Sequence, residues 1–445
     1  MSDGKMRLGM FYWPGGGQHM AAWRHPDGHT DFDADVTKIV ELAKLSERGL
    51  FDMFFMADTL TIWRGSLEAM SRDGAGGHID PVTIMATIAA HTRNLGVVCT
   101  STTTYDQPYL LARRFATLDL ASGGRAGWNL ITSANKIEAA SFGRDAHMEK
   151  VTRYRMAREF AHVVRGLWNS WPEDAFVRDK ASGQFFDPDK LYVLQHEGEF
   201  FKVRGPLTVP PSAQGEPVMV QAGASEDGRE LAAATAEVVF GAQQALEPAQ
   251  AFYADLKQRM ARYGRAPSSL KVMPGLTFCV APSRAQAEDE FEELQDLIDP
   301  SMGLALLSQR MNFDFFGYSP DDAVAELPET ADGGSRTQLI NELLGRQPGM
   351  TLRDLYKHFA GARGHGLVVG TPVDLVDHME QWFKGAACDG FNMMPPLYPR
   401  DLHRFNDLVL PELQRRGLYR TEYEATTLRG NLGLSRPDWR PDALA

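Results

Sequence analysis

Short apolar runs alternate with segments of helical periodicity along most of the chain. An apolar run bounded by turn residues indicates a buried strand, and apolar residues three and four positions apart indicate an amphipathic helix. In the first such unit, the run 7–13 (RLGMFYW) predicts a strand. The apolar positions between Val36 and Ala43 then predict a helix that stops at Gly49.

The order of strand and then helix recurs as far as residue 396. Asp80 is a predicted helix cap with Pro81 as the first helical residue, and a later helix is predicted to start at Thr371-Pro372. The further strand candidates span 50–58, 94–104, 125–133, 217–223, 237–244, 271–282 and 389–396. Helix candidates follow at 80–92, 108–124, 152–168, 225–236, 248–264 and 370–387.

Eight predicted strands, seven of them followed by a predicted helix, indicate an α/β fold with a parallel sheet, and eight parallel strands are the number that closes a (β/α)8 TIM barrel. A doubly wound open sheet is the competing architecture, but no G-x-G-x-x-G stands between the first strand and its helix. We therefore expect one barrel domain over 1–445. Insertions at about 172–215, with a hairpin turning at Glu197-Gly198, and at about 283–365, predicted to be irregular, are expected to form a lid over the C-terminal face of the strands.

Composition narrows the classes of function. The chain has 46 basic and 58 acidic side chains, for a net charge of −12, which argues against nucleic acid or an anionic membrane as the main partner. Its three cysteines follow no pairing or ligand spacing, which indicates a reducing compartment. With no signal peptide or membrane-spanning run in sight, the sequence predicts a cytoplasmic protein.

Polar residues at the ends of predicted strands are the candidates for chemistry, because a barrel of this kind binds its ligand there. Asp58 follows an apolar strand, where a carboxylate needs solvent, a partner or a ligand. Thr104 ends the third strand and is unremarkable alone. Asn129 lies inside an otherwise apolar strand, where a buried amide must find partners, either in a cofactor ring or in a neighbouring loop.

The turn at 223–226 is the second candidate region. Gly223, Ala224 and Ser225 stand between a strand and a helix, and small residues at the amino end of a helix let an anion such as phosphate approach the backbone amides. An ordinary serine cap explains the same residues. Lys150 and Tyr154 are four positions apart and would share a helix face from which they can reach a phosphate, although a solvated lysine beside a half-buried tyrosine is the simpler interpretation.

The first loop, PGGGQHMAAWRHPDG, contributes His19 as a candidate proton donor to a bound intermediate. His25 is interpreted as structural beside Arg24 and Asp27. No second histidine or cysteine stands at ligand spacing, so no metal site is predicted. Neither a G-x-S-x-G motif nor a P-loop is present.

Several longer blocks of the chain form a specific pattern when they are taken together. They include AAWRHPD (21–27), ERGLFDMFFMAD (47–58), ARRFATLDLASGGRAGWNLITS (112–133), RYRMAREF (153–160), EPVMVQAGASEDGRELAA (216–233), GTPVDLVDHMEQWF (370–383) and DGFNMMPP (389–396). In these blocks and in their order, the chain resembles the flavin-dependent monooxygenases of the bacterial-luciferase superfamily. It is most similar to the branch that contains the nitrilotriacetate, EDTA, dibenzothiophene-sulfone and dimethyl-sulfide monooxygenases.

The resemblance implies a barrel that binds FMN at its carboxyl end, with the flavin arriving reduced from a separate NAD(P)H-dependent flavin reductase. Dioxygen would add at the flavin C4a carbon, giving a C4a-peroxyflavin that transfers an oxygen atom to a small organic substrate containing sulfur or nitrogen. By motif, Asp58 would lie near the flavin ring or ribityl chain, and Thr104 and Asn129 match flavin-binding positions. Tyr154 and the Ala224-Ser225 pair match residues that hold the phosphate.

Two positions depart from the family pattern. Lys150 stands where many relatives have histidine, and Ala224-Ser225 stands where they often have two serines. A lysine can still bind phosphate, so we expect binding to be retained, with the backbone amides and Ser225 contributing more. Phe11, Phe55, Trp128 and the 283–365 lid are expected to shape the substrate space.

Other readings stay open on the sequence. A deazaflavin-dependent oxidoreductase can use the same barrel, a flavin-binding protein need not be catalytic, and a barrel aldolase or isomerase is a more distant alternative. The resemblance also implies a homodimer or homotetramer. The sequence does not select one substrate. The predicted lid contains both arginine residues, which suit a polycarboxylate, and phenylalanine residues, which suit a sulfide or sulfone.

Overall fold

Eight parallel strands close into a barrel in this computed structural model, which describes residues 4–62, 66–311, 313–324 and 348–438. The barrel strands are β1, β2, β3, β4, β7, β8, β9 and β11, and each pairs with its neighbours in parallel. In chain order the strands are β1 (Arg7–Tyr12), β2 (Met53–Met56), β3 (Gly96–Thr102), β4 (Ala126–Ile131), β5 (His196–Glu197), β6 (Lys202–Val203), β7 (Val218–Ala222), β8 (Val238–Gly241), β9 (Lys271–Val280), β10 (Gly366–Gly370) and β11 (Gly390–Met394).

The long strand β9 closes the barrel. It pairs with β8 through residues 271–274 and with β11 through residues 275–277. Beyond the end of β8, residues 276–280 of β9 pair with a ninth parallel strand, β10. The closed barrel confirms the predicted fold and excludes the open doubly wound sheet, whereas β10 was missing from the sequence prediction.

Helices follow the strands and cover the outside of the barrel. They are α1 (Val36–Arg48), α2 (Leu67–Met70), α3 (Pro81–His91), α4 (Pro108–Ser122), α5 (Glu138–Ser141), α6 (Lys150–Trp168), α7 (Glu226–Thr235), α8 (Leu246–Arg259), α9 (Arg284–Asp296), α10 (Pro300–Met311), α11 (Leu352–Ala360), α12 (Pro372–Lys384), α13 (Arg400–Arg404), α14 (Leu410–Arg415) and α15 (Leu428–Asn431). Within the described ranges, no helix combines the length and apolar character needed to cross a membrane.

The predicted cap at Asp80 and the predicted helix start at Thr371-Pro372 are confirmed. The side chain of Asp80 accepts a hydrogen bond from the amide of Thr83 at the start of α3. At the start of α12, Thr371 and Asp374 bond reciprocally to each other's backbone amides as a capping box. Such caps satisfy amides that have no carbonyl partner inside the helix, which explains why each helix begins where its sequence signal stands.

Side chains alternate between two apolar layers along each barrel strand. The inner layer fills the barrel and includes Phe11, Phe55 and Phe240. The outer layer packs against the helices and includes Trp128, whose ring lies 5.8 Å from that of Phe160 on α6. The prediction that Trp128 shapes the substrate space is therefore wrong, because its position in the alternation of β4 turns it away from the barrel interior.

The segment 427–434 forms the floor of the barrel at the amino ends of the strands. Leu428 is fully buried in the inner layer, and its amide donates to the carbonyl of Gly124 just before β4. Arg429 donates to the carbonyl of Glu216 before β7 at 3.1 Å and forms an ion pair with Glu237 before β8. The carboxyl ends of the strands are thus left as the mouth of the barrel.

The sequence anticipated the structure of one insertion but not of the other. The expected hairpin within 172–215 is formed by β5 and β6. The segment 283–365, predicted to be irregular, contains α9, α10 and α11, and α10 and α11 share a small apolar core with the first loop. Residues 312 and 325–347 of this insertion lie outside the described residues.

Candidate functional site

A chain of hydrogen bonds joins three strands inside the barrel. Asn129 on β4 lies opposite Thr100 on β3, and its Nδ2 donates to Thr100 Oγ1 at 2.8 Å. Thr100 Oγ1 in turn donates to the carbonyl of Met56 on β2 at 3.0 Å. Among the described residues, Asn129 Oδ1 has no hydrogen-bond partner although the side chain is 3% exposed. A buried amide oxygen left in this state is a natural acceptor for a ligand with a polar edge.

Thr104 supports the loop that follows β4. Its hydroxyl donates to the carbonyl of Thr132 at 2.7 Å, and Arg153 on α6 donates to the same carbonyl at 3.0 Å. The next residue, Ser133, has a positive φ of 48°, a strained conformation for a residue other than glycine. The structure therefore places Thr104 at the mouth of the barrel, but with its hydroxyl proton already used to fix the β4 loop.

Asp58 stands directly after β2 in a cavity of about 920 Å³ that also contacts Thr100 and Glu138. Its Oδ1 accepts a hydrogen bond from the amide of Thr59 at 2.9 Å. Burial raises the pKa of the Asp58 carboxyl to about 7, with a further contribution from the negative charges of Asp80 and Glu138. Near neutral pH the carboxyl is therefore partly protonated, and in that form it can donate a hydrogen bond to a ligand.

The amino end of α7 gathers the residues predicted to hold a phosphate. Ser225 caps the helix by accepting a hydrogen bond from the amide of Gly228 at 3.3 Å. Tyr154 on α6 brings its hydroxyl to 3.4 Å from Ser225 Oγ. Ala224 precedes the cap with an exposed side chain. The amides of residues 226 and 227 lie in the first turn, where a helix offers them no carbonyl partner.

Lys150 lies beside this group of residues and contacts both Tyr154 and Asp227. It is the first residue of α6, and its Nζ lies 5.8 Å from the centre of the Tyr154 ring. The same Nζ forms an ion pair with Asp227 at 3.1 Å, between side chains that are 51% and 42% exposed. Lys150 thereby balances the charge of Asp227, one of two carboxylates in the first turn of α7.

His19 is buried beneath the lid, with both ring nitrogens engaged. Nδ1 accepts a hydrogen bond from the amide of Ala21 at 3.2 Å, so the ring proton is on Nε2, which donates to Gln295 Oε1 at 3.0 Å. Burial lowers the pKa of the imidazole to about 4. The ring is therefore neutral, and in this conformation it ties the first loop to α9. A role for His19 as a proton donor stays a prediction.

An aromatic layer crosses the mouth of the barrel, and half of it was not anticipated. Phe11, Phe55 and Phe240 contact one another with ring centres 5.0 to 5.6 Å apart. The ring of His365, just before β10, stacks on Phe240 at 5.0 Å, and burial lowers its pKa to about 4. The apolar run Leu367–Val369 ahead of the cap at Thr371 is the signal that could have identified β10 and placed His365 beside the barrel.

These groups fit a flavin nucleotide. The helix end with Ser225 and Tyr154 suits a phosphate. The unpaired Asn129 oxygen, the partly protonated Asp58 and the aromatic layer suit a planar ring with polar edges. Over the described part of the chain, no group of three or more His, Cys, Asp or Glu side chains is arranged to hold a metal ion.

Comparison with known proteins identifies the family of the chain. Residues 6–389 match the family model of the luciferase-like monooxygenases. The chain is 45% identical to N-acetyl-S-(2-succino)cysteine monooxygenase of Bacillus subtilis (strain 168) and 44% identical to nitrilotriacetate monooxygenase component A of Aminobacter aminovorans, with 97% of each chain covered in both cases.

A solved structure extends the likeness to a flavin enzyme. The crystal structure of a riboflavin lyase with modified FMN and its substrate riboflavin superimposes with a TM-score of 0.83 at 30% identity. The match covers 97% of this chain and 96% of the lyase. On the family match and on relatives that align over nearly the whole length, the chain belongs to the luciferase-like monooxygenase family of oxidoreductases.

Proposed function

We propose that this chain is the oxygenase component of a two-component monooxygenase, which uses reduced FMN and dioxygen to oxygenate a small sulfur- or nitrogen-containing compound. The observation that carries the proposal is the meeting of the Ser225 and Tyr154 hydroxyls at the amino end of α7. This end opens at the carboxyl side of β7, where barrel enzymes bind their ligands. We infer a sulfur- or nitrogen-containing substrate from the names of two relatives, a monooxygenase of N-acetyl-S-(2-succino)cysteine and one of nitrilotriacetate.

The first task of these residues is to bind the phosphate. Ser225 and Tyr154 offer hydroxyl donors, and the amides of the first turn of α7 add backbone donors on the positive side of the helix dipole. Lys150 supplies positive charge at the edge while it neutralises Asp227. Thr104 acts indirectly, since its bond to Thr132 holds the β4 loop beside the mouth.

The second task is to orient the ring and to exclude water. Asn129 Oδ1 would accept a hydrogen bond from the ring edge, and the protonated carboxyl of Asp58 would donate one. When bound, reduced FMN would supply the two electrons that activate dioxygen, so that one oxygen atom passes to the substrate and the other leaves as water. Phe11, Phe55 and Phe240 form a dry wall, which favours transfer to the substrate over loss as hydrogen peroxide.

The remaining roles concern the proton and the partners. His19 is proposed as a proton donor when a change in the first loop releases Nε2 from Gln295. Reduced FMN is supplied by a separate NAD(P)H:flavin reductase. We further propose that the protein forms a homodimer or homotetramer in the cytoplasm, where its three unpaired cysteines stay reduced.

The test is turnover with a generic flavin reductase, NADH, FMN and isotopically labelled dioxygen. With thioether and amine substrates, we expect one labelled oxygen atom in the product, and rapid mixing of the reduced complex with dioxygen should show a transient oxygen adduct by absorbance. Flavin oxidation that yields only hydrogen peroxide with every substrate would indicate a flavin-binding protein without this activity. Reduction of a substrate by a deazaflavin, without oxygen uptake, would support the alternative oxidoreductase.

A further inference from the structure

A second cavity, of about 400 Å³, lies between the first loop and the lid helices α10 and α11. Its apolar lining includes Met20, Met302 and Leu306, and its basic lining consists of Arg310 at the end of α10 and Arg363 just after α11. The volume falls within the range of small-molecule sites. Neither arginine has a role in the flavin site described above.

Arg363 is held in place at the barrel mouth. Its Nε donates to the carbonyl of Gln18 at 2.8 Å, and its guanidinium carbon lies 5.2 Å from the ring centre of Trp13, the residue that follows β1. Its backbone has a positive φ of 51°, and its carbonyl accepts a hydrogen bond from Arg310 Nη2 at 2.6 Å. The two arginines are therefore linked in one local arrangement.

The cavity is connected to the aromatic layer through the segment 363–365. Two residues after Arg363, His365 stacks on Phe240, which stacks on Phe11. Both guanidinium groups contribute to the low pKa of His365, although burial is the larger cause. Arg363 in the cavity lining and His365 in the aromatic layer are thus separated by at most about 7 Å of backbone.

The charge balance of the cavity favours anions. Asp73 is the one carboxylate in its described lining, and its Oδ1 accepts a hydrogen bond from the amide of Ala75. The same lining has two positively charged guanidinium groups, those of Arg310 and Arg363. Arginine binds carboxylates through paired N–H donors in a fixed plane, whereas a neutral sulfide would use only the methionine and leucine surfaces.

We infer that this cavity selects a polycarboxylate substrate, in which the sulfide or amine to be oxygenated carries at least two carboxylate arms bound by Arg310 and Arg363. The inference rests on the proposed function and names its substrate class. It places the apolar linkers of the substrate against Met20, Met302 and Leu306, and it makes the two arginines determinants of specificity.

The test compares Arg310→Gln and Arg363→Lys with the wild type. Arg353→Gln is the matched control, since Arg353 lies on α11 in the same lid but pairs with Asp321 outside the cavity. The probes are N-acetyl-S-(2-succino)cysteine and nitrilotriacetate, and the trimethyl ester of the former is the neutral thioether. The readouts are KM and kcat with labelled oxygen, calorimetric binding of each probe to the FMN-loaded enzyme, and FMN affinity.

We expect each cavity variant to raise KM and Kd for a tricarboxylate probe by about tenfold or more, the usual effect of losing a charge-assisted hydrogen bond. The kcat, the FMN affinity and the response to the ester should change less than about twofold, and the control should match the wild type. Arg310→Gln alone decides the matter if Arg363→Lys lowers the melting temperature, because Arg310 is exposed and loses only its bond to the Arg363 carbonyl within the described part of the protein, for which we expect a small cost in stability.

Outcomes for the cavity and for the proposed function separate cleanly. Equal binding and oxygenation of ester and tricarboxylates, unchanged in the variants, would overturn the inference while leaving the monooxygenase intact. Arginine-dependent binding of a tricarboxylate without oxygen incorporation would support the cavity and contradict the monooxygenase. Failure of both tricarboxylates to bind overturns the inference.

Discussion

The hydroxyl of Ser225 caps α7 and faces the Tyr154 hydroxyl. Its role as a helix cap and its proposed role in binding phosphate can be separated by substitution. Aspartate caps a helix as well as serine does, whereas its charge would repel a phosphate. For Ser225→Asp we expect FMN affinity to fall by at least about tenfold, as expected for like charges a few ångströms apart near a protein surface. The free energy of unfolding should change by less than about 1 kcal/mol. Fluorescence titration and urea denaturation measure the two effects.

Ser283 provides the matched control for this prediction. It caps α9 by accepting a hydrogen bond from the amide of Gln286 at 3.3 Å, the same length as the bond from Gly228 to Ser225. Ser283→Asp should therefore leave the FMN affinity unchanged. If Ser225→Asp binds FMN as tightly as the control does, the phosphate does not lie at α7.

Asp58 predicts a specific dependence of stability on pH. Its carboxyl has a pKa of about 7 in the folded protein, raised by burial from 3.8. Between about pH 4 and about pH 7 the folded state holds the proton more firmly than the unfolded state, so the stability contributed by this group falls as the pH rises through that window. Asp58→Asn keeps an oxygen that accepts the hydrogen bond from the Thr59 amide, and it has no carboxyl that could lose stability as the pH rises. Its stability relative to the wild type should rise by at most about 1.4 kcal/mol per pH unit.

Urea unfolding of the FMN-free proteins at a series of pH values checks this prediction. Above about pH 8 the difference between Asp58→Asn and the wild type should level off, because both states of the wild type are then ionised. A difference that stays constant from about pH 4 to about pH 8 would show that Asp58 titrates as it does in the unfolded chain.

Single residues also show where sequence reasoning stops. The grouping of Tyr154 with Ser225 could be anticipated, because the family resemblance implies that both positions hold the phosphate. The ion pair of Lys150 with Asp227 and the bond of His19 to Gln295 could not, because these partners come from other elements whose approach depends on the whole fold. The outward direction of Trp128 depends on the face that β4 turns inward, and an almost wholly apolar strand does not reveal that face.

At the scale of elements, the floor segment 427–434 is expected to contribute strongly to stability. Leu428 is fully buried, and a Cβ atom on Gly96 would come within 2.5 Å of its Cδ1, so the side chain fills its space without slack. Leu428→Ala should lower the free energy of unfolding by about 2–5 kcal/mol through lost contacts and an unfilled cavity. Urea denaturation measures this loss.

Leu408 is the control for the floor. It is 39% exposed, so Leu408→Ala should cost less than about 0.5 kcal/mol. Equal losses for the two variants would mean that the floor does not pack against the barrel strands as described.

Elements with local signals were predicted, and elements defined by distant contacts were not. The starts of helices α3 and α12 can be predicted from Asp80 and Thr371, because each of these side chains bonds to an amide within the first turn. The strand β10 has only five residues, and it depends on β9 extending past β8. That overlap arises only when the barrel closes, and the lid helices likewise take their places from their contacts with one another and with the first loop.

At the scale of the whole molecule, one buried ion pair connects distant parts of the chain. Asp52, before β2, pairs with Arg420 beyond α14, with side chains 0% and 1% exposed. Asp52 also accepts a hydrogen bond from the amide of Leu8 on β1. Arg420 donates one to the carbonyl of Asn431 in the floor segment 427–434. Arg420→Met should cost about 3–5 kcal/mol, because it leaves a carboxylate buried without its partner.

A double-mutant cycle with Asp52→Asn tests this connection, since removing both charges should recover part of the loss. Arg415→Met is the control for the arginine substitution. Arg415 is 70% exposed and pairs with Glu412 on its own helix, so its replacement should cost less than about 1 kcal/mol. Additive losses in the cycle would mean that the pair has no energetic coupling.

The floor also sets the order of events during synthesis. The ribosome translates residues 427–434 after every barrel strand and after every residue assigned to the flavin site. A nascent chain can therefore hold all the groups that bind the nucleotide while the opposite end of its barrel still admits water. We expect the cofactor chamber to be sealed only once this segment has left the exit tunnel, so that productive loading with reduced flavin follows translation.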